Sequence, residues 1–246
     1  MSGRRRRWWL LMAAITTLSC FVMGKTLVGR VGWAQPQPQV SVSEETQYRG
    51  DEQLVLDVRV PVVSGLGDRM LERVLNARVR AQVDAARDAA AAEAATLWRE
   101  AAQEGFEPWQ YVFHADYEVC CARGVLSMRV TAALDNGGVG LPLTVFYNVD
   151  IEKREWLALD DLFISDKYRN VIDAYIREQI NGDERFLPEA FGGVSPKTAF
   201  FIRDGILHIV FAKYEIADGM TGEPVFSIPP KLLTGLLKPE YAALLL

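Results

Sequence analysis

The stretch YVFHADYEVCCARGVLSMRVTAALDNGGVGLPLTVFYNVD, residues 111–150, decides the fold that the sequence predicts. Apolar and polar residues alternate along it, and a period of two is typical of half-buried strands. The alternation is interrupted twice by turn sequences, Ala122-Arg123-Gly124 and Asp135-Asn136-Gly137-Gly138. Because turns of this kind join neighbouring antiparallel strands, the stretch predicts an antiparallel β-meander.

A long helix is predicted before the meander. Apolar residues recur every three or four positions from residue 71 to residue 97, which places them on one helical face. Asp68 stands where an N-cap is expected, and Gly105 follows the end of the pattern. This face is expected to pack on a sheet or another helix, with coiled-coil pairing as the alternative. A strand over residues 54–60, ending near Pro61, comes before the helix.

A second helix and more strands are predicted after the meander. Asp166 is expected to cap a helix that ends at Asn181-Gly182. A hairpin is predicted over residues 199–211, and a short edge strand bounded by prolines over residues 224–229. The predicted class is therefore α+β, with a long N-terminal helix packed on antiparallel strands, then a second α+β half with a β-meander and one main helix.

The first residues of the chain predict export. Four arginines, residues 4–7, precede an apolar run that is expected to anchor the chain in the cell membrane through residues 8–28. This orientation places the C-terminal domain outside the cytoplasm; the alternative is a secreted protein cleaved after Ala34. The expected organisation is a signal anchor or signal peptide over 1–34, a spacer over 35–50, a strand and long-helix subdomain over 51–108, and an α+β subdomain over 109–246.

Charge restricts the partners of the exported part. The whole chain has a net charge of −5, and six cations and no carboxylates precede residue 35, so the remainder carries about −11. This balance disfavours nucleic acid as a partner and favours a basic one. The neighbours Cys120 and Cys121 are expected to point to opposite faces of a strand, one thiol inward and one outward. A strained vicinal disulfide is the alternative interpretation.

The sequence contains no recognisable catalytic pattern. His114 and His208 lie in apolar strands and have no metal-ligand spacing, so neither a metal site nor a cofactor is predicted. Acidic pairs such as Asp160-Asp161 suit helix starts. The glycine-rich residues 137–140 join two strands and do not open a helix, which argues against a phosphate site. They are expected to form an exposed binding loop instead.

Several segments, taken in order, resemble the extracytoplasmic module of RsiV-type anti-sigma factors. The module is shared with the N-terminal region of the peptidoglycan deacetylase PdaC. The resemblance rests on segments that span about residues 52–237: Val60–Leu66, Gly137-Gly138, Leu159–Phe163, Glu189-Ala190-Phe191, Tyr214–Ala217 and Phe226–Pro229. It implies a long helix against strands, then an α+β half, and binding of lysozyme by the exported domain. Only about seven residues precede the apolar run, so no sigma-binding tail is expected.

The leading hypothesis is a membrane-tethered, non-catalytic binding or sensing domain that meets a basic protein such as lysozyme, or peptidoglycan. Its predicted binding edge combines two loops: Asp135, Asn136, Gly137 and Gly138 with Tyr214, Glu215 and Asp218. One alternative is a cell-wall glycan-active enzyme with Glu215 and Asp218 as acid and base. A wall-binding accessory protein, or an assembly protein that recruits a partner through the long helix, is the other.

Overall fold

The computed structural model describes residues 40–135 and 142–245. The predicted membrane segment 8–28, the predicted cleavage site at Ala34, and Asn136, Gly137 and Gly138 of the predicted edge lie outside these ranges. Among the described helices, none is both long enough and apolar enough to cross a membrane.

The larger sheet has six strands in chain order. Neighbouring strands are antiparallel, except that β2 and β3 run parallel with Leu54 opposite Tyr111. Strands β3, β4 and β5 confirm the predicted meander. The strand bounds are β1 Ser41–Gly50, β2 Leu54–Ser64, β3 Tyr111–Arg123, β4 Val125–Asp135, β5 Leu143–Asp150 and β6 Glu155–Trp156.

Three sequence-based boundaries differ from the structure. Residues 41–50, predicted as spacer, form the edge strand β1, whose mostly exposed side chains show no apolar alternation. Strand β2 continues past Pro61. Proline has no main-chain N–H, but β3 pairs with β2 only as far as Val58, so no hydrogen bond to β3 is lost at Pro61. The subdomain boundary expected at residue 108 falls between β2 and β3, which belong to one sheet.

Helix α1, Arg69–Gln103, is the crossover that two parallel neighbouring strands require. The side chain of Asp68 accepts hydrogen bonds from the N–H groups of Met70 and Leu71, which confirms the predicted N-cap. The predicted apolar face is also confirmed, since it packs on β2, β3 and β4 to form the first core. Its buried members are Leu71, Leu75, Val79, Val83, Ala90 and Ala94.

A smaller antiparallel sheet, β7-β8-β9, forms the second core with helix α2. The predicted hairpin and the edge strand β9 are confirmed. Asp166 precedes α2 as predicted but makes no side-chain capping bond. The bounds are α2 Lys167–Ile180, β7 Ala199–Arg203, β8 Ile206–Val210, β9 Val225–Ile228, α3 Pro230–Leu233 and α4 Pro239–Leu245. The observed class is mixed α+β with two sheets.

Buried polar side chains join the two sheets. Ser127 Oγ donates to Asn148 Oδ1 at 2.7 Å and accepts from the N–H of Ile202 at 2.9 Å. Asn148 Nδ2 donates to the carbonyl of Phe200 at 2.9 Å. Strand β7 therefore crosses the larger sheet at a fixed position.

The adjacent cysteines do not form a disulfide. A register shift between Val119 and Cys121 makes Cys120 the extra residue of a β-bulge. The prediction of one inward and one outward thiol is wrong, because the bulge leaves both side chains half-buried. Burial raises the pKa of both thiols, which keeps them protonated at neutral pH.

Candidate functional site

The strongest candidate site is the connection between β8 and β9, residues 211–224, here called the tyrosine loop. Hairpin loops usually have two to five residues, and much longer ones are commonly functional. The N–H of Phe211 donates to the carbonyl of Pro224 at 3.0 Å and closes the loop at its base. The residues between them form a loop at the end of β8 and the start of β9.

The tyrosine loop is fastened to the segment 183–189, here called the arginine segment. Ile216 and Ala217 are each 1% exposed and fix the middle of the loop to the second core. The N–H of Leu187 donates to the carbonyl of Ile216 at 2.8 Å, and the N–H of Asp218 donates to the carbonyl of Arg185 at 2.9 Å. These contacts with the second core and with the arginine segment hold the loop in place beneath its exposed side chains.

Tyr214 holds an unusual backbone conformation at the tip. Its φ of 69° lies in the left-handed region, which bulky residues rarely adopt. Its ring lies over Gly219 so closely that any side chain at residue 219 would collide with it. Lys213 Nζ lies 5.3 Å from the ring centroid. Strained residues of this kind persist where surrounding contacts hold them, and they concentrate at binding sites.

Exposed apolar side chains occur on both the tyrosine loop and the arginine segment. Tyr214 is 54% exposed, Met220 96% and Leu187 50%. Two of these residues come from the tyrosine loop and the third from the arginine segment, which the main-chain bonds described above hold beside it. An aromatic ring, a flexible thioether and a leucine on a rigid frame are typical of a protein-binding surface.

The two predicted carboxylates of this loop support its turns. Glu215 Oε2 accepts from the N–H of Ala212 at 2.8 Å. Asp218 Oδ1 accepts from Thr221 Oγ1 at 2.7 Å and from the N–H of Thr221 at 2.9 Å. These bonds from the Thr221 hydroxyl and amide lower the pKa of Asp218. A general acid needs a raised pKa, so Asp218 does not suit that role, whereas the base role requires an ionised carboxylate.

Acidic residues outnumber basic ones on the arginine segment. Arg185 donates to both carboxylate oxygens of Asp183, with Nε–Oδ1 at 3.0 Å and Nη2–Oδ2 at 2.6 Å. The bonds from its guanidinium lower the pKa of Asp183 to about 2. Glu184 and Glu189 on the arginine segment are exposed. The surface therefore keeps a negative character suited to a basic partner.

The structure divides the predicted binding edge. Asp135 ends β4 opposite Val112, and the Asn136, Gly137 and Gly138 that follow it lie outside the described residues. Val125, at the start of β4, packs in the second core that also holds Ile216. Asp135 lies ten residues further, roughly 33 Å along the strand. Tyr214, Glu215 and Asp218 share one loop, whereas Asp135 lies at the end of a strand of the larger sheet.

Two residues of this surface were missed by the sequence reasoning. Leu187 and Met220 have no distinguishing pattern of their own, since isolated apolar residues are common on protein surfaces. The length of the loop was the available signal, because residues 211–224 separate two paired strands. Within residues 40–135 and 142–245, no group of three His, Cys, Asp or Glu side chains has an arrangement that could hold a metal ion.

The tyrosine loop lies within a part of the chain that matches a protein-family model. Residues 160–231 match the family model described as "Protein of unknown function (DUF3298)". The chain is 26% identical over 204 residues to the anti-sigma-V factor RsiV of Bacillus subtilis (strain 168), covering 77% of this chain and 67% of RsiV. It is 28% identical over 116 residues to the peptidoglycan-N-acetylmuramic acid deacetylase PdaC of the same strain, covering 43% of this chain and 24% of PdaC.

Two solved structures of DUF3298 family proteins share the fold. One, from Bacteroides fragilis NCTC 9343, gives a TM-score of 0.58 at 16% identity and covers 82% of this chain and 94% of that one. The other, from Pseudomonas aeruginosa PAO1, gives 0.51 at 19% identity, with coverages of 85% and 98%. The resemblance predicted from the sequence is confirmed, and the part of the chain that matches the DUF3298 family model contains the tyrosine loop.

Proposed function

We propose that this chain is a membrane-tethered, extracytoplasmic sensor domain that binds a basic protein ligand without catalysing a reaction. The arginine-rich start of the chain and the similarity to RsiV over 77% of its length support the location and the sensing role. Lysozyme, which the family resemblance implies, is the first ligand to test.

One observation carries the binding role, namely Tyr214 held at positive φ and half-exposed on a loop that also carries the exposed Met220. Holding a large side chain in its bound position before contact reduces the entropy lost on binding. Tyrosine is also among the residues that contribute most to interfaces. The acidic charge of the exported part would mainly increase the association rate with a basic protein.

The test is titration calorimetry of the full chain, purified in a mild detergent, with hen lysozyme at low and moderate salt. We expect saturable binding that weakens only modestly as salt screens the exposed charges. Tyr214→Asn keeps a residue that tolerates positive φ but removes the ring, and it should weaken binding at least tenfold. Tyr48→Asn, at an exposed tyrosine of β1, is the matched control. Binding that disappears with salt, or that Tyr214→Asn leaves unchanged, would contradict the proposal.

The role of acidic charge in association is tested at residues other than Glu215 and Asp218, because those two carboxylates also bond the main chain of the loop. Glu184→Lys on the arginine segment should slow association with lysozyme severalfold in stopped-flow measurements. Glu52→Lys, an equal charge change before β2, should leave the rate nearly unchanged. Equal effects of the two would indicate nonspecific attraction between an acidic and a basic protein.

The alternative of a glycan-active enzyme or wall-binding accessory protein is tested separately. Incubation with purified peptidoglycan, followed by analysis of the released fragments, detects turnover directly. Turnover that Glu215→Gln abolishes would favour the enzyme. Sedimentation with peptidoglycan without turnover would favour the accessory protein.

A further inference from the structure

Among residues 40–135 and 142–245, no strand pairs with the first part of β5 at the outer edge of the larger sheet, here called the open edge. Within the described chain, the neighbour of β5 on this side is β6, which lies opposite Val149 and Asp150 alone. The N–H of Leu157 donates to the carbonyl of Asn148 at 3.0 Å, so the main-chain groups of Asn148 face this side. Alternate residues of an antiparallel strand face the same neighbour, so the N–H and C=O groups of Thr144 and Phe146 also face the open edge.

A groove lies on each face of this edge. The first, of about 320 Å³, separates β5 from the chain around Lys197 and Thr198. The second, of about 400 Å³, separates Val145 and Tyr147 from helix α1 near Arg78. Successive residues of a strand point to opposite faces. A strand added to β5 would therefore place its side chains alternately in the two grooves.

The open edge also offers an unused polar atom and a defined length. Thr144 Oγ1 is buried without a hydrogen-bond partner among the described residues, and it lies beside the first groove. Pro142, in the same alternating set, has no N–H and closes the edge at one end, while β6 closes it at the other. The span between them fits about five residues of extended chain, roughly 17 Å.

The grooves carry positive charge in an otherwise acidic protein. Lys197 lines the first groove and Arg78 the second, and no carboxylate is among the described residues that line either groove. The guanidinium of Arg78 lies 4.7 Å from the ring centroid of Trp156, which holds it beside the open edge. Because the two cations lie on opposite faces of β5, they suit carboxylates on adjacent residues of an added strand.

We propose that the open edge of β5 binds an extended acidic peptide segment by β-strand addition, with main-chain hydrogen bonds to Thr144 and Phe146 and carboxylates near Arg78 and Lys197. Strand addition draws its affinity from main-chain bonds and its specificity from pockets for alternate side chains, and β5 offers both. This site is separate from the tyrosine loop, so either proposal can fail while the other stands.

The test uses the full chain in mild detergent and an end-blocked peptide of alternating threonine and valine with adjacent aspartate and glutamate at its centre. Fluorescence anisotropy of the fluorescein-labelled peptide should show saturable binding, at least tenfold tighter than for the same peptide with two lysines replacing the acids. Lys197→Glu should weaken binding severalfold. Lys231→Glu, an equal change outside both grooves, should have no effect.

Hydrogen exchange of the wild-type chain, together with one substitution in β5, tests the geometry. The amides of Thr144 and Phe146 should exchange at least tenfold more slowly when the peptide is bound, and Thr144→Pro should weaken binding at least tenfold. Unchanged exchange at these two amides, or equal binding of the lysine peptide, would overturn the proposal. Slower exchange on raising the concentration of the chain alone would identify a second copy as the occupant and would also overturn it.

Discussion

The ring of Tyr214 lies against Gly219, where a Cβ atom would stand 2.2 Å from Tyr214 Cε1. Only glycine fits under the ring, so these two residues together fix the tip of the tyrosine loop. The Tyr214 ring can occupy this position only because residue 219 has no Cβ atom.

Gly219→Ala should therefore displace the Tyr214 ring and weaken lysozyme binding about tenfold. The free energy of unfolding should change by less than about 1 kcal/mol, because the tip is exposed and contributes little to the core. Calorimetric titration and urea denaturation measure the two quantities. Gly192→Ala is the matched control, since a Cβ there meets no atom within 4 Å. A normal affinity for Gly219→Ala would show that the ring position is unimportant.

Ser127→Ala should destabilise the junction of the two sheets by about 1–3 kcal/mol, because it leaves the buried N–H of Ile202 without its acceptor. Urea denaturation followed by tryptophan fluorescence gives the free energy of unfolding. Ser64→Ala removes an exposed hydroxyl that bonds Ser41 and should cost less than about 0.5 kcal/mol. Equal costs for the two serines would mean that the junction contributes no specific stability.

Stability should fall as the pH rises from about 10 to about 12. Burial, with hydrogen bonds to Asp160 and Asp150 respectively, raises the pKa of Tyr168 and of Tyr241 to about 12. The folded chain then keeps these protons while the unfolded chain, with ordinary tyrosine pKa values near 10, releases them. The contribution of these two tyrosines to the free energy of unfolding is full below pH 10 and is lost as the pH approaches 12.

Urea denaturation at pH 9 and pH 11 measures this loss, and absorbance at 295 nm follows tyrosine ionisation. The double variant with Tyr168→Phe and Tyr241→Phe should be less stable at pH 9 and should lose less stability by pH 11. Tyr48→Phe, at an exposed position, should behave like the wild type. An equal alkaline loss in the double variant would assign the effect to other groups.

Thr221→Val should raise the pKa of Asp218 towards its ordinary value, because the hydroxyl of Thr221 is the main group that lowers it. The main-chain N–H of Thr221 still donates to the carboxylate, so the rise should be partial. NMR titration of the Asp218 side chain measures the change. Thr96→Val removes a hydroxyl that bonds a helical carbonyl and should leave this pKa unaltered.

Local patterns predicted much of the fold. The meander of β3, β4 and β5 and the apolar face of α1 appear in the sequence as periods of two and of three to four, because backbone geometry repeats at those intervals. Strand β1 has no such pattern, since an edge strand can be held by main-chain bonds while its side chains face water. The predicted spacer was wrong there for that reason.

The sequence by itself determined the two main helices and most of the strands, and it grouped Tyr214, Glu215 and Asp218 as one candidate site. Tertiary structure alone decided that β2 pairs with β3 in parallel across α1, that Asp135 belongs to the larger sheet while this loop belongs to the smaller one, and that the main chain of Leu187 bonds to the loop. The physical reason is the sequence distance over which each kind of information acts. Periodicity reports the environment of each residue along its own element, whereas the choice of neighbours depends on contacts between residues far apart in the chain.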